Sequence, residues 1–237
     1  MVDPGRIDSL VDMLVSAHPL EAAVSLVDDP DVSWGEKPDE LADAFTTLAL
    51  SAEREILIVS PYLVLTKTLT ELGQITHERG VRVAVITNSL ASNDVVIAHA
   101  AYARFRESIL DSGADLFEYR GDPEMMREDS AQSFSLHSKY ILIDESTVFL
   151  GSLNLDPRSL YLNTELGVVL RSESLAAELR AEFAELTSGA NAWRVTRTDS
   201  GFEWSSAAGT IKRQPAKSGW QRFRAWLMKF LPLTSQI

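Results

Sequence analysis

The sequence predicts an α/β protein, a mixed β-sheet flanked by helices on both faces and followed by a C-terminal amphipathic helix. Three observations lead there. Short apolar runs such as "ILIVS", "VRVAVIT" and "ADLFEYR" alternate with longer stretches in which apolar residues recur at three- and four-residue spacing, the pattern of strands alternating with helices. Pro61, Gly80 and polar clusters punctuate these runs. The 237 residues, 45% of them apolar, can bury one large core or two small ones.

The elements follow in order. "IDSLVDMLVSA" and "LEAAVSLV" have helical spacing and end at "DDPD", and "DVSWGEKPDE" reads as a loop. Asp39 can cap a helix "ELADAFTTLALSAERE", whose apolar face carries Leu41, Ala44, Phe45, Leu48 and Ala52. A strand over Ile56–Ser60 stops at Pro61, and "TKTLTELGQITHERG" is a helix ended by Gly80. A strand over Val81–Thr87 leads into the polar loop "NSLASND", a single helix "VVIAHAAYARFRESILDSG" and a third strand "ADLFEYR". After the polar loop "GDPEMMREDSAQSF", the runs "LHSKYILID" and "TVFLGS" form a hairpin turned at "ES". "TELGVVLRS" is a further strand, and "ESLAAELRAEFAELTSG" a helix closed by Gly189. From Ala190 to Lys217 the chain is polar and weakly patterned. The expected organisation is therefore one domain over 1–189, followed over 190–237 by a polar linker and a basic aromatic tail.

Charge is unevenly spread. Net charge is −12, yet Ile211–Ile237 holds six Lys/Arg and no Asp/Glu, leaving −18 on the rest. An acidic body argues against nucleic acid as a partner, which needs a basic footprint. No run of eighteen apolar residues suggests a bilayer span, and "MVDPGRIDSL" lacks the pattern of a signal peptide. Without cysteine there are no disulfides, thiolate metal sites or cysteine nucleophiles.

Four histidines are present, and one stands in the apolar run "LHSKYILID". In a strand, His137 and Lys139 project from the same face, whereas Asp144 has opposite parity and sits at the strand end. Ser152 and Asn154 share a parity at the end of the next strand, where they could donate hydrogen bonds to an anion. Glu165 enters a third strand and could accept a proton from one imidazole nitrogen, leaving the other free as a nucleophile. Lys, Ser and Asn together make a cradle for a tetrahedral oxyanion, and a phosphoryl group fits it.

"HSKYILID" followed by "GSLNLDPRS" resembles the HxKxxxxD–GSxN signature of the phospholipase D superfamily. The resemblance implies a phospholipase D-like fold with His137, Lys139, Asp144 and Glu165 as catalytic residues and Ser152 and Asn154 as substrate-binding ones. It also implies a phosphohistidine intermediate and no metal or other cofactor. "ITNSLASNDVVIAHAAYARFRESILDSGADLFEYR" and the terminal "LPLTSQI" are similar to the C-terminal half of bacterial two-motif cardiolipin synthases. Those enzymes carry two His-Lys-Asp motifs, and this chain carries one. His18, His77 and His99 are followed at the second position by Leu20, Arg79 and Ala101. The implied activity is phosphatidyl transfer on a phospholipid such as phosphatidylglycerol, with the second motif supplied by a homodimer or a separate N-terminal chain. The alternatives are a dimeric single-motif phosphodiesterase acting on nucleic acid, or a partner subunit without turnover.

Other features are weaker. Asn88 and Ser89 follow a strand at the end where α/β sheets bind ligands, and count as substrate-binding candidates beside a plain helix-capping reading. His99 reads as a packing or pocket residue, and Tyr62 as a core aromatic, with a place facing the substrate channel as the alternative. Asp122, Glu124, Glu128 and Asp129 read as a solvated loop. In the tail "GWQRFRAWLMKFLPL", Trp220, Phe223, Trp226, Leu227, Phe230 and Leu231 fall within an arc of about 140°, opposite Arg222, Ala225 and Lys229. That pattern describes an interfacial helix, competing with one that docks on its own domain. The expected location is cytoplasmic, peripheral on the inner membrane.

Overall fold

The computed structural model describes residues 23–28, 40–124 and 135–228. Among them one sheet has ten strands: β1 (Ala23–Asp28), β2 (Glu55–Val59), β3 (Arg82–Asn88), β4 (Asp115–Tyr119), β5 (Tyr140–Ile143), β6 (Thr147–Gly151), β7 (Leu166–Arg171), β8 (Ala192–Thr198), β9 (Gly201–Ser206) and β10 (Gly209–Ile211). Their spatial order is β1-β7-β6-β5-β2-β3-β4-β8-β9-β10. β2, β3 and β4 run parallel. The pairs β2–β5, β5–β6 and β6–β7 are antiparallel. The helices are α1 (Glu40–Ser51), α2 (Lys67–Glu78), α3 (Val96–Tyr102), α4 (Arg106–Asp111), α5 (Pro157–Tyr161), α6 (Glu173–Leu186) and α7 (Gly219–Met228).

Both faces of the central strands are buried. Ile56, Ile58, Val85, Leu116, Ile141 and Phe149 pack with Phe45 of α1, Leu69 and Leu72 of α2, Tyr102 of α3 and Leu160 of α5. Leu57, Val59, Ala84, Ile86, Leu142 and Val148 face the other way, against Ala176, Phe183 and Leu186 of α6. Adjacent residues of β2 thus enter different cores, which is why "ILIV" is continuously apolar instead of alternating. The helices carry local stop signals of their own. Thr66 caps α2 by accepting from Leu69 N, Ser172 caps α6 through Leu175 N, and Gly80 leaves α2 at φ +74.

Four sequence expectations are corrected. Residues 23–28, expected helical, form an edge strand antiparallel to β7. A short apolar run fits either period, and the open edge of β7 decides. The single helix expected over 95–113 is two, because the chain tightens at Arg104 and Phe105 through bonds to Ala101 and Tyr102 carbonyls. The expected polar linker carries β8, β9 and β10, which extend the sheet from β4. Its strand pattern is faint because few positions, Ala192, Val195 and Trp204 among them, are buried. His137 and Lys139 precede β5 instead of lying in it.

A buried polar cluster ties these added strands to the core. Glu118 of β4 accepts from Arg106 Nε at 2.7 Å, Tyr102 Oη at 2.9 Å and Trp204 Nε1 at 3.0 Å. Arg106 also donates to His99 Nε2 at 3.0 Å and to Gln214 at 2.9 Å. A charge pair this deep survives only because each partner is also hydrogen-bonded. His99 is thereby a packing residue, as expected. Beyond Gln214, α7 packs on α3, and Gln221 Nε2 donates to the Leu90 carbonyl at 2.7 Å.

Candidate active site

Strand register brings the motif together at one end of the central strands. Val59, at the end of β2, pairs with Tyr140, at the start of β5. Tyr140 pairs with Leu150 of β6, and Gly151 with Gly167 of β7. The segments just outside these pairs are 137–139, 152–154 and 165, so His137, Lys139, Ser152, Asn154 and Glu165 converge there. Two glycines permit the close approach. A side chain at Gly151 would collide with the Leu166 carbonyl, and one at Gly167 with the Phe149 ring.

His137 is exposed, and among the described residues none hydrogen-bonds to its ring. Its backbone is fixed from behind. Asn88 is buried, accepts from Leu136 N at 2.9 Å, and donates to the Leu136 and Pro61 carbonyls at 3.0 and 3.3 Å. Asn88 is therefore a clamp on the residue before the histidine, with its amide already used, and not a substrate contact. Ser89 is likewise buried and turned onto Ser92, 3.2 Å between hydroxyl oxygens. Both substrate-binding expectations are corrected.

Lys139 Nζ donates to the His137 carbonyl at 2.9 Å. Partial burial lowers its pKa, while the charges of Glu165 and Asp156 pull it back up. Glu165 is 7% exposed. Its carboxylate accepts from the Ser152 hydroxyl and, at 3.1 Å, from Asn163 Nδ2. Ser152 Oγ in turn accepts from Leu166 N at 3.0 Å. Ser152 thus braces Glu165, and its expected role as an anion contact is corrected. Asn154 is committed only weakly: Nδ2 lies 3.5 Å from Ser159 Oγ, and buried Oδ1 has no partner.

Asp144 stands apart. It lies beyond the far end of β5, at φ +49, and accepts from the backbone N–H groups of Glu53, Arg54 and Glu55 at 3.0, 2.8 and 3.0 Å. Its catalytic assignment is corrected to a structural one. Its parity and strand-end position already pointed away from the histidine.

Sequence reasoning missed Asp156 and Asn163. Asp156 is 4% exposed and caps α5 through Ser159 N at 2.9 Å. Burial pushes its carboxyl up, against the hydrogen bonds that pull it down. An aspartate before Pro at the start of a helix was a readable cap, but its burial beside Lys139 was not.

The family model described as "Cardiolipin synthase, PLD-like domain" matches residues 46–187. The chain belongs to this family. Among curated proteins it is 36% identical over 195 residues to cardiolipin synthase C of Escherichia coli K12, covering 77% of this chain and 41% of that protein. It is 33% identical over 136 residues to cardiolipin synthase A of Buchnera aphidicola, covering 57% of this chain and 25% of that protein. The chain therefore spans less than half the length of these curated relatives. The fold is shared with phosphatidylserine synthase of Haemophilus influenzae, at a TM-score of 0.54 and 20% identity, over 70% of this chain and 39% of that one. It is shared equally with Nuc of Salmonella typhimurium, a phospholipase D family member, at 0.52 and 20% identity, over 70% and 93%. Both likenesses show the fold alone. Among the described residues no helix is long and apolar enough to cross a membrane.

Proposed function

We propose that this chain is one half of a phosphatidyltransferase of the cardiolipin synthase type. The observation that carries the reading is the convergence of His137, Lys139, Asn154 and the braced Glu165 at one end of the central strands, in a chain of this family. His137 attacks the phosphorus of a phospholipid such as phosphatidylglycerol, forming a phosphohistidine. Lys139 and Asn154 hold the non-bridging oxygens as charge develops on them. Glu165 orients the imidazole once substrate draws the ring inward, since catalytic hydrogen bonds tighten in the bound complex. The leaving alkoxide needs a proton that His137 cannot give while it is the nucleophile. A second motif must therefore face this one across an approximate two-fold axis, from another copy or from a separate chain.

The lipid surface is met by α7. Trp220, Phe223, Trp226 and Leu227 are 67, 47, 54 and 52% exposed, while Ala225 is buried. Trp220 stacks on Phe223 and Phe223 on Trp226, with centroids 5.4 and 6.1 Å apart. The helix thus docks on its own domain by one face and offers an aromatic ladder on the other. Arg222 and Arg224 lie on the same helix, so the favoured partner is an anionic bilayer, peripherally bound. Phe230, Leu231 and Lys229 lie outside the described residues.

Subunit mixing tests the half-site. Wild-type chain is titrated with His137→Ala at constant total protein, and conversion of phosphatidylglycerol is followed. A homodimeric site loses activity faster than the wild-type fraction falls. A split enzyme shows none until the N-terminal chain is added. Activity strictly proportional to wild-type chain, from a species that sediments as a monomer, would sink the reading.

A further inference from the structure

The turn that delivers Glu165 is closed by its own hydrogen bonds. α5 starts at the Asp156 cap, and at its end the Arg158 carbonyl accepts from the N–H groups of Leu162 and Asn163 at 2.9 and 2.8 Å. The two side chains return the contact, with Arg158 Nε donating to Asn163 Oδ1 at 3.1 Å. Asn163 Nδ2 then donates to Glu165 Oε1, also at 3.1 Å. The other carboxylate oxygen, Oε2, accepts from Ser152. A guanidinium, an amide and a carboxylate thus stand in a row, from exposed Arg158 through half-buried Asn163 to buried Glu165.

The row has a direction, and an amide fits its middle. Arginine donates and cannot accept, an ionised carboxylate accepts and cannot donate, and asparagine does one at each end. Turned over, the Asn163 amide would set N–H against N–H and oxygen against oxygen. An ionised carboxylate in its place would accept from Arg158 but repel Glu165, and a methyl group would reach neither. Hydrogen bonds in series strengthen one another, so Arg158 supports the Glu165 charge through the amide between them. Lys139 and Asp156 also act on Glu165, the first attracting its charge and the second repelling it. In the proposed transfer Lys139 turns to the phosphoryl oxygens, whereas the Asn163 bond lies behind the reacting atoms and stays in place.

We propose that Asn163, backed by Arg158, is a positioning residue for the transfer: it fixes the Glu165 carboxylate in the place from which it accepts an N–H of the His137 imidazole. The inference rests on the phosphatidyltransferase reading and deepens it. Asn163 touches no reacting atom and acts through Glu165 alone. Ser152 holds one carboxylate oxygen and Asn163 the other, so two donors together set the plane of the carboxylate as well as its position. Loss of the Asn163 donor frees that plane to turn, and the imidazole loses its aim at phosphorus. Such a misplacement slows the chemical step and leaves binding of the lipid unchanged.

Two measurements on the full chain test it. Asn163→Asp keeps the size of the side chain and its bond from Arg158, but sets a second carboxyl against Glu165 at the 3.1 Å the hydrogen bond spans. Two carboxyls that close share a proton, and the pair titrates as a unit. With the proton shared, the introduced carboxyl donates to Glu165 as the amide does; with it lost, the two charges repel. In the assembled enzyme, kcat for phosphatidylglycerol relative to wild type is therefore retained at low pH and falls about 10²-fold as pH rises through that titration, with KM unchanged. Asn163→Ala shows the loss at every pH, and Arg158→Ala a smaller one. A loss of the same size at every pH in Asn163→Asp, or no loss, overturns the proposal, because a merely structural role does not follow the shared proton. The second measurement needs no turnover: in a ¹⁵N-labelled chain the Asn163 side-chain amide resonance, assigned by its absence from Asn163→Ala, shifts in both Arg158→Ala and Glu165→Gln. A shift in only one of them, or in neither, overturns the relay. If wild type consumes no phosphatidylglycerol in any pairing, the phosphatidyltransferase reading fails, and the amide resonance alone decides whether Arg158 and Asn163 hold Glu165.

Discussion

The two ends of β5 carry the two ends of one motif, and they are built in opposite ways. At the near end, His137 is exposed, the Lys139 ammonium donates to the carbonyl of His137, and the Asn154 amide nitrogen lies 3.5 Å from Ser159 Oγ. At the far end, Asp144 binds three backbone amides, and Arg180 bridges Glu55 and the Asp144 carbonyl. Arg82 joins Glu55 to Asp115, which also holds Arg194. Charges at the far end saturate one another and hold the sheet edge. Lys139 and the Asn154 amide nitrogen at the near end keep donor capacity, which the oxygens of a phosphoryl group can take up. A sequence motif is therefore not a site: four residues of strand separate its chemistry from its anchor.

The largest effect expected from breaking this contrast is at the near end. Glu165→Gln removes the charge beside Lys139 and the proposed orienting acceptor of the imidazole while keeping the side-chain shape, with one of the two oxygens that accept from Ser152 and Asn163 replaced by a donor. Turnover in the assembled enzyme falls on the order of 10²- to 10⁴-fold, with the melting temperature little changed. Full rate in the variant would return Glu165 to a structural role.

Asp144→Ala reverses the pattern, lowering stability more than chemistry. It strands three amide donors at a partly exposed site, so urea unfolding should show a loss of about 1–2 kcal/mol. The pH dependence has a definite sign. Burial opposes the Asp144 charge, but the amide bonds from Glu55, Glu53 and Arg54 outweigh it, and the carboxyl sits below its ordinary 3.8. Its contribution is present above that value and is lost as pH falls through the folded-state pKa. Wild type and Asp144→Ala should therefore converge in stability below about pH 4. A gap that stays constant into acid would remove the amide clamp from the account.

The smallest effect is expected from chelation. Among the described residues no group of three or more His, Asp or Glu side chains is placed to hold a metal, and the proposed transfer runs through an imidazole. EDTA should leave turnover unchanged; loss on chelation, restored by one divalent ion, would point to other chemistry.

Much of this could be read before the structure. The spacing of His137, Lys139, Ser152, Asn154 and Glu165 identified the family, because paired strands convert fixed spacing into shared position. The central strands and α1, α2 and α6 were legible through period and caps. What was not legible lay where local pattern is ambiguous or burial one-sided. Residues 23–28 fit either period, and the 192–211 strands bury too few positions to show their alternation. Asn88 and Ser152 were read as ligand contacts because an amide or hydroxyl near a strand end looks alike whether its partner is substrate or backbone.

The sequence by itself determined the family of this chain and which strands form its centre, since residue type and period are local properties. Tertiary structure alone decided which polar groups remain open. Asn88 and Asn154 carry the same amide, but the first meets the Leu136 backbone on both its atoms and the second meets no donor. That difference depends on segments 48 or more residues apart being brought within hydrogen-bond distance. No local rule predicts it, because a hydrogen bond forms between neighbours in space.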